Sequence, residues 1–262
     1  MSAPPPTCSA SWCRPVPVLI AARSADLDLV RPLARLLRSD GGEVRCYLDT
    51  DDHELRSLGC KIAVGALDDV YNLEAALTNV HTFVPLLADP FDVRTPEDLG
   101  QLRDMGLASA QAAAGAGIAQ TILPVPVLPP IHPVTATFAE VEKAFDAGVH
   151  PLCRLQTGYL WGDERPLPAL LSTARHHGVE LPKGVCLSVL GVDDWVAVLT
   201  AADDREDIDG SWELGGEIEP LVDLLERAPA ARAQPKTPPD NWGLALLAED
   251  LIVGSSAAEE FA

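Results

Sequence analysis

The sequence lacks an excess of basic residues, is poor in aromatic residues and contains no long hydrophobic run. Its 19 lysines and arginines face 39 aspartates and glutamates, which gives a formal net charge of −20 at pH 7. A field of that sign repels nucleic-acid phosphates and anionic lipids, so we expect neither nucleic acid nor a membrane as partner. No apolar run reaches the roughly 18 residues that a membrane-spanning helix needs. Because 47% of the residues are apolar, the chain is nevertheless expected to fold around a full core.

Pairs of cysteine or histidine at zinc-finger spacing are also missing. Of the six cysteines, Cys46, Cys60, Cys153 and Cys186 lie in apolar, strand-like contexts that are typical of buried thiols. We expect reduced cysteines, no metal site and a cytoplasmic protein. A mitochondrial location is the alternative, because the first 25 residues contain arginines and serines but no acid.

Strand-like and helix-like segments alternate along most of the chain, which predicts a parallel sheet covered by helices. The first strand is expected near Pro17–Ala22, and an amphipathic helix follows it directly. The predicted fold is therefore α/β, a doubly wound, Rossmann-like parallel sheet with a small C-terminal substrate-side subdomain. We expect a disordered start at 1–15, the main domain at 16–228, and a linker at 229–262 that ends in a helix over 244–253.

The order of four segments resembles the atypical, extended-like short-chain dehydrogenase/reductase superfamily, especially its NmrA-like and epimerase-like branches. These segments are LARLLRSDGGEVRCYLD, LRSLGCKIAVGALDDVYNLEAALTNVHTFVPLL, LQTGYLWG and SVLGVDDWVAVLTAADDREDIDGSWELGG. The resemblance covers roughly residues 16–225. It implies a Rossmann-like NAD(P)-binding domain and a catalytic Tyr-x-x-x-Lys pair.

The resemblance also implies a Gly-x-x-Gly-x-x-Gly turn after the first strand, and this sequence departs from it. The three glycine positions fall on Ala22, Ala25 and Asp28. Methyl and carboxylate groups would then stand where backbone must approach the pyrophosphate. Ser24 is a candidate N-cap of the following helix. We therefore expect that no cofactor is required, with weak NAD(P) binding as the alternative.

Two further positions belong to this vestigial cofactor site by the same resemblance. Asp49 follows the second strand, where an acid could accept a hydrogen bond from a ribose hydroxyl; ordinary turn chemistry is the other interpretation. Leu86 is at the end of the fourth strand, which carries no polar group there. Three tryptophans in the C-terminal third could pack in the core or line an apolar cleft.

Catalytic residues are missing at the positions that the resemblance implies. Val125 and Pro126 stand where the family has a serine, and no tyrosine lies between Tyr71 and Tyr159 to pair with Lys143. We expect no catalytic residue and a chain that has lost dehydrogenase activity, and that acts as a regulatory or partner-binding scaffold with a protein partner. The alternatives are an NAD(P)-dependent oxidoreductase or epimerase with an unorthodox dinucleotide loop, and a structural subunit.

Overall fold

The computed structural model describes residues 17–39, 41–130, 132–148, 150–205, 208–229, 241–248 and 250–254. The expected disordered start at 1–15, with Cys8 and Cys13, and most of the expected linker lie outside the described residues.

The strands of the described chain are β1 (Val18–Ala22), β2 (Val44–Leu48), β3 (Lys61–Val64), β4 (Thr82–Pro85), β5 (Gln120–Pro126), β6 (Leu152–Thr157), β7 (Tyr159–Trp161), β8 (Cys186–Gly191), β9 (Gly210–Leu214) and β10 (Glu217–Pro220). The helices are α1 (Leu27–Ser39), α2 (His53–Ser57), α3 (Val70–Ala76), α4 (Pro96–Ala116), α5 (Pro133–Asp146), α6 (Pro166–His177), α7 (Val192–Asp203), α8 (Leu221–Arg227) and α9 (Asn241–Ala245).

Seven strands form a parallel sheet in the order β3-β2-β1-β4-β5-β6-β9. The side chains of α1 and α7 pack on one face of this sheet, and those of α3, α4 and α5 pack on the other. β1 is buried along its whole length, as a strand covered on both faces must be. The predicted doubly wound α/β fold and the position of its first strand are confirmed.

The strand order reverses between β1 and β4, because β1 pairs with β2 on one side and with β4 on the other. The chain leaves β1 toward one face of the sheet and leaves β4 toward the other. Such a reversal opens a crevice at the carboxyl ends of the two strands, where open α/β sheets bind their ligands.

β10, β8 and β7 form a small second sheet in that order. The segment LQTGYLW is divided at Gly158 between β6 and β7. A Cβ at Gly158 would approach the Ser188 carbonyl oxygen to 2.6 Å, so the two sheets meet too closely there for a larger residue.

The bounds expected for the C-terminal helix, 244–253, are wrong, because α9 spans Asn241–Ala245 and a turn follows it. Leu251 instead forms a bridge with Leu187, and its carbonyl oxygen accepts from the Ser188 N–H at 2.6 Å. Leu246, Leu247 and Leu251 are buried, and the pairing of Leu251 with Leu187 joins this segment to β8.

The four cysteines that the structure describes are free, as expected: Cys46, Cys60 and Cys153 are buried, and Cys186 is half-buried. Each lies on a strand or beside one. Among the described residues, no helix combines the length and the apolar character needed to cross a membrane.

Candidate functional site

The turn after β1 is built differently from the sequence-based expectation. Ala22 is fully buried at the end of β1, and a 3-10 turn (Ser24–Asp26) leads into α1. Ser24 is not an N-cap: Arg23 occupies the position before the 3-10 turn, and no side chain caps it. The carboxylate of Asp49 explains the difference, since it draws Ser24 toward β2. The Ser24 N–H donates to Asp49 Oδ1 at 2.7 Å, and the Ser24 hydroxyl donates to Oδ2 at 3.3 Å.

A buried guanidinium lies against the first turn of α1. Arg165, at the start of α6, donates from Nη2 to Asp89 at 2.6 Å and from Nη1 to Asp28 at 3.1 Å. The same Nη1 lies 3.5 Å from Asp26, and only 3% of the Arg165 side chain is exposed. One arginine thus binds three carboxylates that come from α1 and from the loop after β4.

A second arginine extends this cluster toward the crevice. Arg23 donates from Nε to Asp26 at 2.9 Å and from Nη2 to Asp92 at 3.0 Å. Two guanidiniums therefore serve four carboxylates. Burial raises the pKa of Asp26, Asp28 and Asp89 despite the arginines beside them. We call these six residues, Arg23, Asp26, Asp28, Asp89, Asp92 and Arg165, the ion cluster.

An open crevice of about 360 Å³ lies beside the ion cluster at the reversal of strand order. Asp49 lines it after β2, Leu67 after β3, and Ala88 after β4. Arg23 is the basic residue in its lining, while Asp49, Asp68, Asp92, Asp98 and Asp104 are acidic. The apolar side chains of the lining can contact an apolar part of a ligand. The carboxylates beside them can accept hydrogen bonds from hydroxyl groups of the same ligand.

A second cavity, of about 50 Å³, lies farther along the strand ends. Leu86, Pro124, Tyr159, Arg165 and Trp195 are part of its lining. Tyr159 does not present its hydroxyl to this space, because that hydroxyl donates to the Leu246 carbonyl oxygen at 2.8 Å. Burial and the charge of Asp89 raise the Tyr159 pKa far above its usual value. Tyr159 is therefore no substitute for an activated catalytic phenol.

The predicted site residues fall into three groups. Ser24 and Asp49 are in direct contact, with Asp49 at the crevice. Ala25 is exposed on the turn, and the Asp28 carboxylate is bound to Arg165. Leu86 lines the smaller cavity. The turn and the ribose interpretations of Asp49 are compatible, because its carboxylate serves the turn while it borders the crevice.

Sequence reasoning missed the charged residues that dominate this region, namely Arg23, Asp89, Asp92 and Arg165. Trp195 is one of the three tryptophans expected to pack in the core or to line an apolar cleft, and it is buried and lines the smaller cavity. Arg165 and Asp89 are separated by 76 positions, so no local sequence pattern predicts that they form a pair. Only Arg23 carried a signal, as a basic residue within the acidic turn that replaces the glycines. No group of three or more potential ligands that could hold a metal ion occurs in the part of the chain that the structure describes.

No protein-family model matches the sequence, and no curated protein is significantly similar to it. Solved structures do match. The Thermus thermophilus UDP-glucose 4-epimerase complex with NAD has a TM-score of 0.70 at 16% identity, over 94% of each chain. The Thermotoga maritima UDP-glucose 4-epimerase with UDP-glucose has 0.68 at 15%, over 94% of this chain and 92% of that one. The Bordetella bronchiseptica enzyme WbmG with NAD and UDP has 0.67 at 15%, over 93% and 86%.

These neighbours contradict the expectation that no cofactor is required, because two of the three were solved with NAD in this fold. The physical reason lies in the crevice. The turn after β1 lacks the three glycines, but the space beside Asp49 and Leu67 is open. The expected resemblance is confirmed at the level of the fold: the chain has the architecture of the extended short-chain dehydrogenase/reductase epimerases.

Proposed function

We propose that this protein binds NAD(P), chiefly through the adenosine half of the dinucleotide, and uses the binding to regulate a protein partner rather than to transfer hydride. The observation that carries the proposal is the contrast between the two halves of the site. The crevice is open where adenosine would lie, whereas the ion cluster occupies the turn where diphosphate would lie.

The residues around the crevice fit an adenosine group. Leu67 and Ala88 offer apolar contact to a base, and Asp49 is exposed at its edge. A carboxylate has about four lone-pair positions, so Asp49 can accept from ribose hydroxyls while it holds the Ser24 N–H. This arrangement supports recognition of the nucleoside.

The diphosphate fits only if Arg23 exchanges partners. Its side chain is one-quarter exposed, and Asp92, which it binds at 3.0 Å, lines the same crevice. A phosphate could take the place of Asp92 and form charge-assisted hydrogen bonds to the guanidinium. Asp26 and Asp28 oppose this through like charge. Arg23 would therefore do part of the work of the missing glycine turn, at lower affinity.

Hydride-transfer chemistry lacks its proton donor. The buried face of α5 carries Val134, Thr137, Phe138 and Val141, and Lys143 is exposed. Tyr159 holds its proton at neutral pH and directs it to a backbone carbonyl. General acid catalysis needs a group with suitable reach and pKa. Asp89 is the carboxyl in the lining of the smaller cavity, and Arg165 and the Phe91 N–H hold its oxygens, so it is not placed to donate a proton there.

Calorimetry with NAD⁺, NADH, ADP and adenosine tests the binding. We expect all four to bind, and NAD⁺ to bind less than about tenfold more tightly than adenosine, which corresponds to about 1.4 kcal/mol. A preference for NAD⁺ above about a hundredfold would show that the diphosphate and nicotinamide are recognised directly. No binding by any of the four would refute the proposal.

The variant Asp92→Asn tests whether Arg23 binds the diphosphate once it is released from Asp92. It frees the guanidinium and removes one carboxylate from the crevice, so NAD⁺ affinity should rise by about tenfold, the equivalent of one relieved like-charge contact. Asp104→Asn is the matched control, because it removes the same charge from the crevice wall without releasing Arg23. Equal effects of the two variants would assign the gain to net charge alone.

The second candidate is an NAD-dependent epimerase or oxidoreductase, and the structural neighbours that are UDP-glucose 4-epimerases favour it. The test is to incubate the protein with NAD⁺ and UDP-glucose and to follow sugar epimerisation by NMR. Absorbance at the NADH band follows hydride transfer. Turnover in either assay would favour this candidate over the regulatory function.

A further inference from the structure

The smaller cavity contains two buried hydrogen-bond donors without partners. Arg165 Nε and Trp195 Nε1 are both inaccessible and lack an acceptor, and both residues line this cavity of about 50 Å³. The side chain of Arg165 is 3% exposed and Trp195 is 1% exposed. A buried donor without an acceptor is costly, so two of them beside one space indicate an acceptor that belongs there.

The other polar side chains of the lining already have partners. Asp89 accepts from Arg165 and from the Phe91 N–H at 2.9 Å. The Thr157 hydroxyl donates to the Val125 carbonyl oxygen at 3.4 Å, and the Tyr159 hydroxyl is bound to Leu246. Thr157 and Tyr159 therefore have no free donor, whereas Arg165 Nε and Trp195 Nε1 each have one, and these two N–H groups select a ligand that accepts.

Charge excludes an anion as the preferred occupant. The guanidinium of Arg165 already binds Asp28 and Asp89 and lies 3.5 Å from Asp26. An anion placed beside these three carboxylates would meet more negative than positive charge. A neutral acceptor avoids this repulsion and still satisfies both N–H groups.

The size of the cavity and the chemistry of its walls limit the class of ligand further. A cavity needs roughly 10–15 Å³ on this measure for each water, so this one holds about three to five water-sized centres. Its walls include Leu29, Leu86, Pro124, Phe138 and Leu160, which offer no hydrogen bonds from their side chains. A molecule of about four non-hydrogen atoms, apolar except for one oxygen, matches that space.

We propose that this cavity binds a small neutral ketone or amide whose carbonyl oxygen accepts from Arg165 Nε and Trp195 Nε1. The site goes beyond the nucleotide function, because none of its contacts requires the crevice to be filled. It would let the protein respond to a small carbonyl metabolite independently of NAD(P).

Acetone is the probe, and the indole N–H resonances of the five tryptophans provide the readout in a ¹H–¹⁵N correlation spectrum. Trp195→Phe assigns its signal by loss. We expect acetone to shift the Trp195 indole signal saturably, with an apparent Kd on the order of 1–100 mM, as suits so small a ligand. Acetate, which has the same shape and a negative charge, should bind at least about tenfold more weakly.

Isobutene, an apolar molecule of the same shape, controls for filling of the cavity alone. Saturation transfer to the acetone methyl groups should fall in Trp195→Phe and persist in Trp161→Phe, which leaves this cavity unaltered. A linear shift without saturation would mean that ordered water satisfies the donors, and the proposal would fail. Equal binding of acetate or isobutene would also overturn it.

Discussion

Arg165 connects the first turn of α1 to the loop after β4, although its position in the chain gives no hint of this role. Its guanidinium binds Asp28 and Asp89, and its side chain is almost completely buried. A buried ion pair adds little net stability, but removing one partner leaves uncompensated charge in the interior. The first turn of α1 and the loop after β4 therefore share this one buried cation.

The variant Arg165→Met tests that dependence. We expect the free energy of unfolding at pH 7 to fall by about 3–5 kcal/mol, because three carboxylates lose their buried cation. Urea denaturation followed by tryptophan fluorescence measures the change. Arg35→Met is the control: its side chain is 58% exposed and pairs with Glu54, so a loss below about 1 kcal/mol is expected. Equal losses in the two variants would contradict the structural role of Arg165.

The ion cluster also predicts how stability depends on pH. Burial raises the pKa of Asp28 and Asp89 above the ordinary aspartate value of 3.8. A carboxyl whose pKa is higher in the folded state stabilises the fold below the unfolded pKa and loses that contribution as pH rises through the folded value. Acidification from pH 7.5 toward 5 should therefore increase stability.

Asp28→Asn tests this dependence, because it removes one of the three raised carboxyl groups. The stability gain between pH 7.5 and 5, measured by urea denaturation, should be smaller in the variant than in the unmodified chain. Asp52→Asn is the contrast, since a hydrogen bond from Arg31 lowers the pKa of Asp52, which titrates below this window. If the unmodified chain loses stability between pH 7.5 and 5, then the arginines, and not burial, determine the direction of the pKa shifts in the ion cluster.

At the scale of elements, the sequence predicted the sheet well and the site poorly. β1 was predictable as a short, continuous apolar run, and α1 because its buried residues follow the helical period. Ion pairs obey no such period: Asp26 and Arg165 lie 139 positions apart. The prediction for the C-terminal segment failed for a related reason, because Leu251 pairs with Leu187, which is distant in the sequence.

The contact between α4 and α5 supports a prediction that runs against helix propensity. A Cβ at Gly106 would lie 2.7 Å from Cγ1 of Val141, whereas a Cβ at Gly100 on the same helix would meet nothing within 4 Å. Gly100→Ala should stabilise the protein by up to about 1 kcal/mol. Gly106→Ala should destabilise it by about 1–2 kcal/mol, because overpacking outweighs the same gain. Thermal unfolding of both variants measures the difference, and two stabilised variants would contradict the close packing of α5.

At the scale of the whole molecule, the charge of −20 opposes the dinucleotide that we propose as the ligand. The lining of the crevice repeats that imbalance, with five aspartates against Arg23. The net charge of the whole chain and the carboxylates of the crevice therefore both repel a diphosphate. Added salt screens the interaction between exposed charges that lie farther apart than about 10 Å at 0.1 M and about 3 Å at 1 M.

NAD⁺ should consequently bind more tightly as ionic strength increases, the reverse of the usual behaviour of a phosphate site. We expect its Kd to fall by roughly threefold to tenfold between 20 and 500 mM NaCl, because screening weakens the repulsion over distances longer than the Arg23 contact. Adenosine carries no phosphate and is the matched control; its Kd should stay within about twofold over the same range. Calorimetry at four salt concentrations measures both. A Kd for NAD⁺ that rises with salt would mean that the phosphates meet a net positive site, and the exchange of Arg23 between Asp92 and phosphate would then be the wrong account of how this crevice accepts a dinucleotide.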